Sequence, residues 1–170
     1  MTDESYSRSW LAPSTQNQLA ATISLPGSKS LTNRELVLSA IANQPTTIRG
    51  LLISRDSSLM IEALRKLGTD IEVSGTTALV TPKPLTGPAK IDCGLAGTVM
   101  RFVPALAALA AGQIDFDGDL AARKRPMKTT VDSLRALGVR VTGESLPFSI
   151  QGNSQVDGCL LYTSPSPRDS

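Results

Sequence analysis

Two stretches of this chain carry the same marks in the same order. Arg55, Leu64, Arg65, Leu67 and Gly68 recur as Arg125, Leu134, Arg135, Leu137 and Gly138, at a constant offset of 70 residues. Gly27 and Arg34 recur as Gly94 and Arg101, at an offset of 67. Around these marks the hydrophobic pattern reads strand, helix, strand, helix, strand, strand, twice over. Recurrence at a near-constant offset, in the same order of elements, marks an internal duplication of one supersecondary unit. The expected class is α/β, of the α+β kind: repeated β-α-β-α-β-β units over residues 19–158. Residues 1–18 read as a leader outside them.

In the first unit, alternation from Leu19 through Ile23 to Leu25 predicts a strand. A helix follows over 30–43, with Leu31, Leu38 and Ile41 on one face and Thr32 and Glu35 at capping-box spacing. A short strand spans 46–52. Asp56 or Ser57 caps the next helix, whose face is Met60, Leu64 and Leu67 and whose stop is Gly68. Strands at 71–73 and 78–81 turn at Gly75. The second unit repeats the order. It has a strand at 89–93 and a helix over 97–111 with Val99, Phe102, Val103, Leu106 and Leu109 inward. Pro104 should kink that helix or mark a late start. A strand at 114–116 follows, then a helix opened by Pro126 with Val131, Leu134 and Leu137 buried, and strands at 139–141 and 148–150.

The last twelve residues break the pattern. Cys159 to Ser170 hold Pro165 and Pro167, show no amphipathic period, and back-translate to a string that resembles read-through of a sequencing-library adapter. Residues 159–170 are therefore expected to be a non-native scar.

Composition removes several function classes. The chain has 170 residues, 41% hydrophobic and 19% charged, which is a globular balance. A net charge of +2 and 4% aromatics argue against nucleic acid as a partner. There is no histidine, which removes the histidine-based nucleophile systems and makes an ordinary zinc site unexpected. Cys93 and Cys159 have neither metal spacing nor a disulfide framework. No signal peptide and no apolar run of membrane-spanning length is seen, so no membrane partner and a cytoplasmic location are expected.

The chemistry points to anions. Leu-Pro-Gly-Ser-Lys-Ser-Leu-Thr-Asn-Arg, from Leu25 to Arg34, and Asp-Cys-Gly-Leu-Ala-Gly-Thr-Val-Met-Arg, from Asp92 to Arg101, each place glycine where a strand becomes a helix. Each also places an arginine one to two turns inside that helix. Helix N-terminal amides attract anions, and a nearby cation adds to the attraction. A nucleotide P-loop fails on spacing, since no glycine precedes Gly27 by five residues. Lys29 supplies a point charge, Ser30 a hydroxyl and Arg34 a bidentate fork for a small phosphate ester. Each charge-assisted bond is worth roughly 1.5–3 kcal/mol. Gly94, Gly97 and Thr98 form a second loop open to close ligand approach. Arg123, Lys124, Arg125, Pro126 and Lys128 make a basic knot, in which Arg125 takes the repeat position of Arg55 and suits a second anion. Asp56 reads as a helix cap and Asp92 as a loop anchor. Solvated helix charges and a turn needing glycine for geometry are the plain alternatives.

Together with Arg-Lys-Arg-Pro from Arg123, these motifs resemble the 5-enolpyruvylshikimate-3-phosphate synthase family, with Cys-Gly-Leu-Ala-Gly-Thr like its actinobacterial branch. The likeness runs from about Ala20 to Gly158. Family members are over twice this length, so the chain resembles the N-terminal part. The resemblance implies a two-lobed fold, of which these units form most of one lobe and the leader joins the other. It implies transfer of the carboxyvinyl group of phosphoenolpyruvate to the 5-hydroxyl of 3-phosphoshikimate, with no cofactor or metal and a monomeric enzyme. It assigns Lys29, Ser30 and Arg34 to 3-phosphoshikimate, and Lys29, Gly97 and Arg125 to phosphoenolpyruvate, with Arg101 nearby. Leu95 stands where many members have asparagine, and Ala121-Ala122-Arg123-Lys124 where many begin Arg-Met. The family's acid–base residues lie beyond Gly158, so no catalytic residue is expected here and the chain alone should not turn over. The related UDP-N-acetylglucosamine enolpyruvyl transferases are the alternative enzyme, which the Thr-Asn-Arg spacing disfavours. A non-catalytic anion-binding module is the alternative outside enzymes.

Overall fold

The computed structural model describes residues 10–14, 18–153 and 156–158. The elements run α1 (Lys29–Ala40), β1 (Thr46–Arg49), α2 (Arg55–Lys66), β2 (Asp70–Ser74), β3 (Thr77–Thr81), β4 (Ala89–Asp92), α3 (Gly97–Leu109), β5 (Ala111–Asp117), α4 (Leu120–Arg123), α5 (Lys128–Ala136), β6 (Arg140–Thr142) and β7 (Phe148–Asn153). They form two sheets, ordered β1-β3-β2 and β4-β5-β7-β6. All pairings are antiparallel except β4 on β5, which is parallel from Ala89 opposite Ile114 to Asp92 opposite Asp117. Each sheet covers one face only. On β3 Ala78 and Val80 are buried while Leu79 is exposed, and on β7 Phe148, Ile150 and Gly152 are buried while Gln151 is exposed. That alternation is what a one-sided antiparallel sheet requires.

The helices fill the space between the units. α1 packs on β1 and β3, α3 on β7, and α2 reaches β2 of its own unit and β4 of the next. One apolar core results. Leu36, Met60, Leu64 and Leu67 from the first unit join Val99, Met100, Ile114 and Phe116 from the second, all at most 1% exposed. Phe116 stacks on Phe148 with centroids 4.9 Å apart. Gly152 lets β7 pass directly beneath the Ala107 and Ala110 carbonyls of α3, where a Cβ would collide.

The second unit matches its expected order, with one addition. α4, a single turn, sits between β5 and α5. Pro104 lies inside a continuous α3, so the late start is excluded. Pro126 falls two residues before α5, which begins at Lys128 after Met127. Leu109 is 40% exposed rather than inward.

The first unit departs more. No strand forms over 19–25; those residues carry no regular structure, and Leu19, Ile23 and Leu25 are 82%, 77% and 83% exposed. Their repeat equivalent, β4, is held by parallel pairing to β5 and by packing from α2. Alternation alone does not supply such cover. The inward face of α1 is also not Leu31, Leu38 and Ile41, which are exposed, but Leu36 and Ala40 with Thr32, Asn33 and Ser39. Three buried polar residues hid the true stripe from a reading that looks for apolar ones. The caps differ as well. Ser28 caps α1 through Leu31 N. Ser54 caps α2 in a reciprocal box with Ser57, leaving Asp56 in the first turn. The expected scar, 159–170, and Cys159 lie outside the described residues.

Candidate functional site

The two glycine-led loops are built on one plan. In the first unit Gly27 passes against Gly50, just after β1; a Cβ on Gly27 would strike the Gly50 carbonyl oxygen. In the second, Gly94 passes against Gly118, just after β5; a Cβ on Gly118 would lie 2.7 Å from the Gly94 oxygen. Both contacts are backbone on backbone, which only glycine permits. Asp92 anchors the second loop as expected, its Oδ1 accepting from Gly94 N at 2.8 Å.

At the first loop, Lys29, Ser30 and Arg34 are all exposed at the opening of α1. Lys29 Nζ lies 3.0 Å from Asp56 Oδ2. Asp56 is therefore a counter-ion to Lys29, not a helix cap. Thr32 and Asn33 point inward: Thr32 Oγ1 accepts from Leu52 N at 3.1 Å, and Asn33 Nδ2 donates to Thr98 Oγ1 at 2.6 Å. The second of these bonds ties the start of α1 to the start of α3.

At the second loop, the N-cap of α3 is Ala96, which has no side-chain acceptor for the first amides. Two guanidinium groups converge there. Arg101 Nη1 donates to Gly97 O at 3.2 Å, and Arg125 Nη1 donates to Leu95 O at 2.8 Å. The position a Gly97 Cβ would take is 2.9 Å from Arg101 Nη1 and 3.5 Å from Arg125 Nη1. Arg55 stands on the far side of the loop, over Gly94, and pairs with Asp119 at 2.8 Å. The fold thus brings together Gly97, Arg101 and Arg125, and joins them through Asn33 to the helix bearing Lys29, Ser30 and Arg34.

The basic knot is not a patch. Arg123 forks onto both carboxylate oxygens of Asp117 at 3.0 and 2.7 Å, and Lys128 pairs with Asp132 at 2.8 Å. Hydrogen bonds from Arg123 and from Gly118 N hold the Asp117 carboxyl below its usual range. Cys93 is fully buried, and burial with the nearby charges of Asp92 and Asp117 pushes its thiol from 9.0 up to about 12. It is a packing residue, not a nucleophile.

A cavity of about 780 Å³ lies by the exposed face of the second sheet, and its wall includes Asp92, Asp115, Asp117 and Asp119. It touches none of Lys29, Ser30, Arg34, Gly97, Arg101 or Arg125, and its four aspartates outnumber its two lysines, Lys66 and Lys90, which disfavours an anionic ligand. Lys29, Ser30, Arg34, Arg101 and Arg125 are instead exposed at the surface. Among the described residues no group of three or more Asp, Glu, Cys or His is placed to hold a metal ion.

Residues 13–164 match the sequence profile described as EPSP synthase (3-phosphoshikimate 1-carboxyvinyltransferase). The chain belongs to the EPSP synthase family. It is 50% identical over 154 residues to a 3-phosphoshikimate 1-carboxyvinyltransferase of Mycobacterium ulcerans (strain Agy99), covering 88% of this chain and 36% of that protein. Among solved structures it is similar to an EPSP synthase from Acinetobacter baumannii, with a TM-score of 0.75 and 28% identity over 82% of this chain and 34% of that one. A second structure of that synthase, at 2.37 Å, gives a TM-score of 0.74. The chain spans about a third of the length of these EPSP synthases. The two-unit architecture is accordingly part of one lobe of the family's two-lobed fold.

Asn33 and the Lys29–Asp56 pair were not singled out from sequence, and Thr98 was read only as part of the second loop. Nothing in spacing reveals a bond across 65 residues. The one available signal was Thr32 and Asn33 standing where the duplicate has Val99 and Met100.

Proposed function

We propose that the protein to which this chain belongs transfers the carboxyvinyl group of phosphoenolpyruvate to the 5-hydroxyl of 3-phosphoshikimate, the shikimate-pathway step toward chorismate and the aromatic amino acids. The C–O bond of the enol phosphate breaks, phosphate leaves, and the 5-oxygen forms the new ether. The hydroxyl proton leaves with the released phosphate. The observation that carries this reading is the convergence of Arg101 and Arg125 on Gly97 at the uncapped start of α3. Two guanidinium heads and unclaimed helix amides suit a compact anion bearing both carboxylate and phosphate.

In this reading Lys29, Ser30 and Arg34 hold 3-phosphoshikimate, while Lys29, Gly97 and Arg125, with Arg101 beside them, hold phosphoenolpyruvate. Lys29 must exchange Asp56 for a ligand oxygen, a near-neutral trade for a half-exposed pair. The parent is a monomeric cytoplasmic enzyme that needs no cofactor. Residues 1–18 belong to its other lobe, 19–158 are two units of this one, and 159–170 are not native. The isolated chain binds both ligands weakly and does not turn over, because groups needed only in the transition state are elsewhere in the parent.

The test is titration of the chain with each ligand by calorimetry, with UDP-N-acetylglucosamine as the comparison, alongside an assay of phosphate release. Weak binding of 3-phosphoshikimate and phosphoenolpyruvate without phosphate release is expected. Preference for the UDP-sugar would overturn the substrate reading. Phosphate release by the chain alone would overturn the division of labour.

A further inference from the structure

Asn33 is completely buried, and its side chain is only half satisfied. Its Nδ2 donates to Thr98 Oγ1, while its Oδ1 is buried with no partner. Turning the carboxamide over would let the threonine hydroxyl donate instead and leave the amino end unpaired. Either way one polar end of Asn33 is desolvated without compensation, which is unfavourable. The duplicate unit shows that the fold does not require this. Thr32 and Asn33 are the repeat equivalents of Val99 and Met100, which are fully buried and apolar at the same turn of α3. An apolar side chain therefore fills this position adequately. Unit one carries an amide there, and that amide reaches the second residue of the other unit's ligand-facing helix.

We infer that Asn33 is a positioning residue: its bond to Thr98 fixes the start of α3, with Gly97 and Arg101, against the start of α1, with Lys29, Ser30 and Arg34. The clasp sets the separation of the two anion loops, so filling one loop favours filling the other. Its coupling role rests on the two-ligand reading above; its mechanical role does not. Thr98 is suited to it because the hydroxyl can accept from Asn33 while the residue remains within α3. Serine keeps the hydroxyl, whereas valine keeps the shape and removes it.

The experiment uses the 170-residue chain with no substitution and the variants Asn33→Ala, Thr98→Val and Thr98→Ser, each checked for a dispersed amide spectrum. Without ligand, hydrogen exchange is followed at the Met100 amide, which bonds to Ala96 O and closes the first turn of α3. Loss of one buried bond predicts an acceleration of roughly tenfold in Asn33→Ala and Thr98→Val. Exchange at Leu106 and in Thr98→Ser should stay within about twofold. Phosphoenolpyruvate is then titrated with and without saturating 3-phosphoshikimate. In the unsubstituted chain and in Thr98→Ser the first ligand should tighten the second at least fivefold. In the other two variants 3-phosphoshikimate alone should bind within threefold of normal while the tightening falls below twofold. Unchanged Met100 exchange in Asn33→Ala overturns the clasp, whatever the ligands do. Altered exchange with full retention of tightening overturns its coupling role. A folded unsubstituted chain that answers to neither ligand counts against the function proposed above, and the exchange result still decides the clasp.

Discussion

Gly27 and Gly97 are both motif glycines at the mouth of a helix, yet alanine should act oppositely at the two. At Gly27 the new methyl group would land on the Gly50 carbonyl oxygen, with Gly50 C at 3.4 Å and Leu52 N at 3.6 Å. All three are backbone atoms that cannot swing aside. Leu52 N is also the donor to Thr32 Oγ1, so a shift there weakens that bond. Overpacking costs about 1–3 kcal/mol and a lost hydrogen bond about 0.5–1.5, giving roughly 2–4 kcal/mol of lost stability. At Gly97 the methyl group meets only guanidinium ends, Arg101 Nη1 at 2.9 Å and Arg125 Nη1 at 3.5 Å. Long side chains can yield, and alanine is the better helix former by up to about 1 kcal/mol. Stability should change by no more than about 0.5 kcal/mol, in either direction. The methyl group would instead occupy the space between the two cations. Forfeiting one charge-assisted bond, about 1.5–3 kcal/mol, weakens phosphoenolpyruvate binding about 10- to 150-fold. Urea denaturation followed by circular dichroism, with calorimetric titration of phosphoenolpyruvate, separates the two cases. A Gly97→Ala chain as destabilised as Gly27→Ala, or one that binds phosphoenolpyruvate normally, would refute the reasoning.

Two further outcomes follow from burial. Leu64→Ala, at a fully buried site in α2, should cost about 2.7–5 kcal/mol in urea denaturation, and Leu38→Ala, 64% exposed on α1, no more than about 0.5; equal losses would restore the stripe first expected on α1. The Cys93 thiol titrates near 9.0 when unfolded and near 12 when folded, so the native state retains a proton that the unfolded chain releases. Its stabilising contribution is complete below pH 9 and is lost as pH rises toward 12, by about 1.4 kcal/mol per unit. In a Cys159→Ser background, the stability advantage over Cys93→Ala should shrink at that rate between pH 9.5 and 11, whereas parallel curves would sink the assignment.

What the sequence revealed and what it hid divide along a physical line. Local signals were legible. Gly68 and Gly138 end their helices with φ of 103° and 81°, the left-handed conformation that glycine adopts at little cost. The Met60–Leu64–Leu67 face is buried, as its spacing predicts. Hidden features were those set by a partner distant in sequence. The strand expected over 19–25 has alternation but no cover. The α1 stripe is polar because Thr32 and Asn33 bond to Leu52 and Thr98, on other elements. Of the site, the two loops were legible from glycine and charge, but the convergence of Arg101 and Arg125 on one glycine was not. They lie 24 residues apart and meet only because α4 and the turn after it carry Arg125 back over Leu95.

The duplication explains why the two loops are not interchangeable. A close backbone contact recurs in both copies, Gly27 on Gly50 and Gly118 on Gly94, although the glycine that must lack a Cβ is the loop glycine in the first and the glycine after the strand in the second. The side chains around it diverged in complementary directions. Ser28 caps α1 and takes up one of its amides, while Ala96 leaves the amides of α3 without a side-chain acceptor. In the proposed function the first helix therefore meets its ligand through side chains, Lys29, Ser30 and Arg34. In that reading the second relies on its own backbone amides, on Arg101 from within the helix and on Arg125 brought from beyond α4. A symmetric pair of loops would compete for the same anion. One loop built from side chains and one from backbone can hold two different anions side by side, and such a division is useful only if their spacing is fixed. The single buried amide that breaks the repeat, Asn33 where the copy has Met100, lies where that spacing is set.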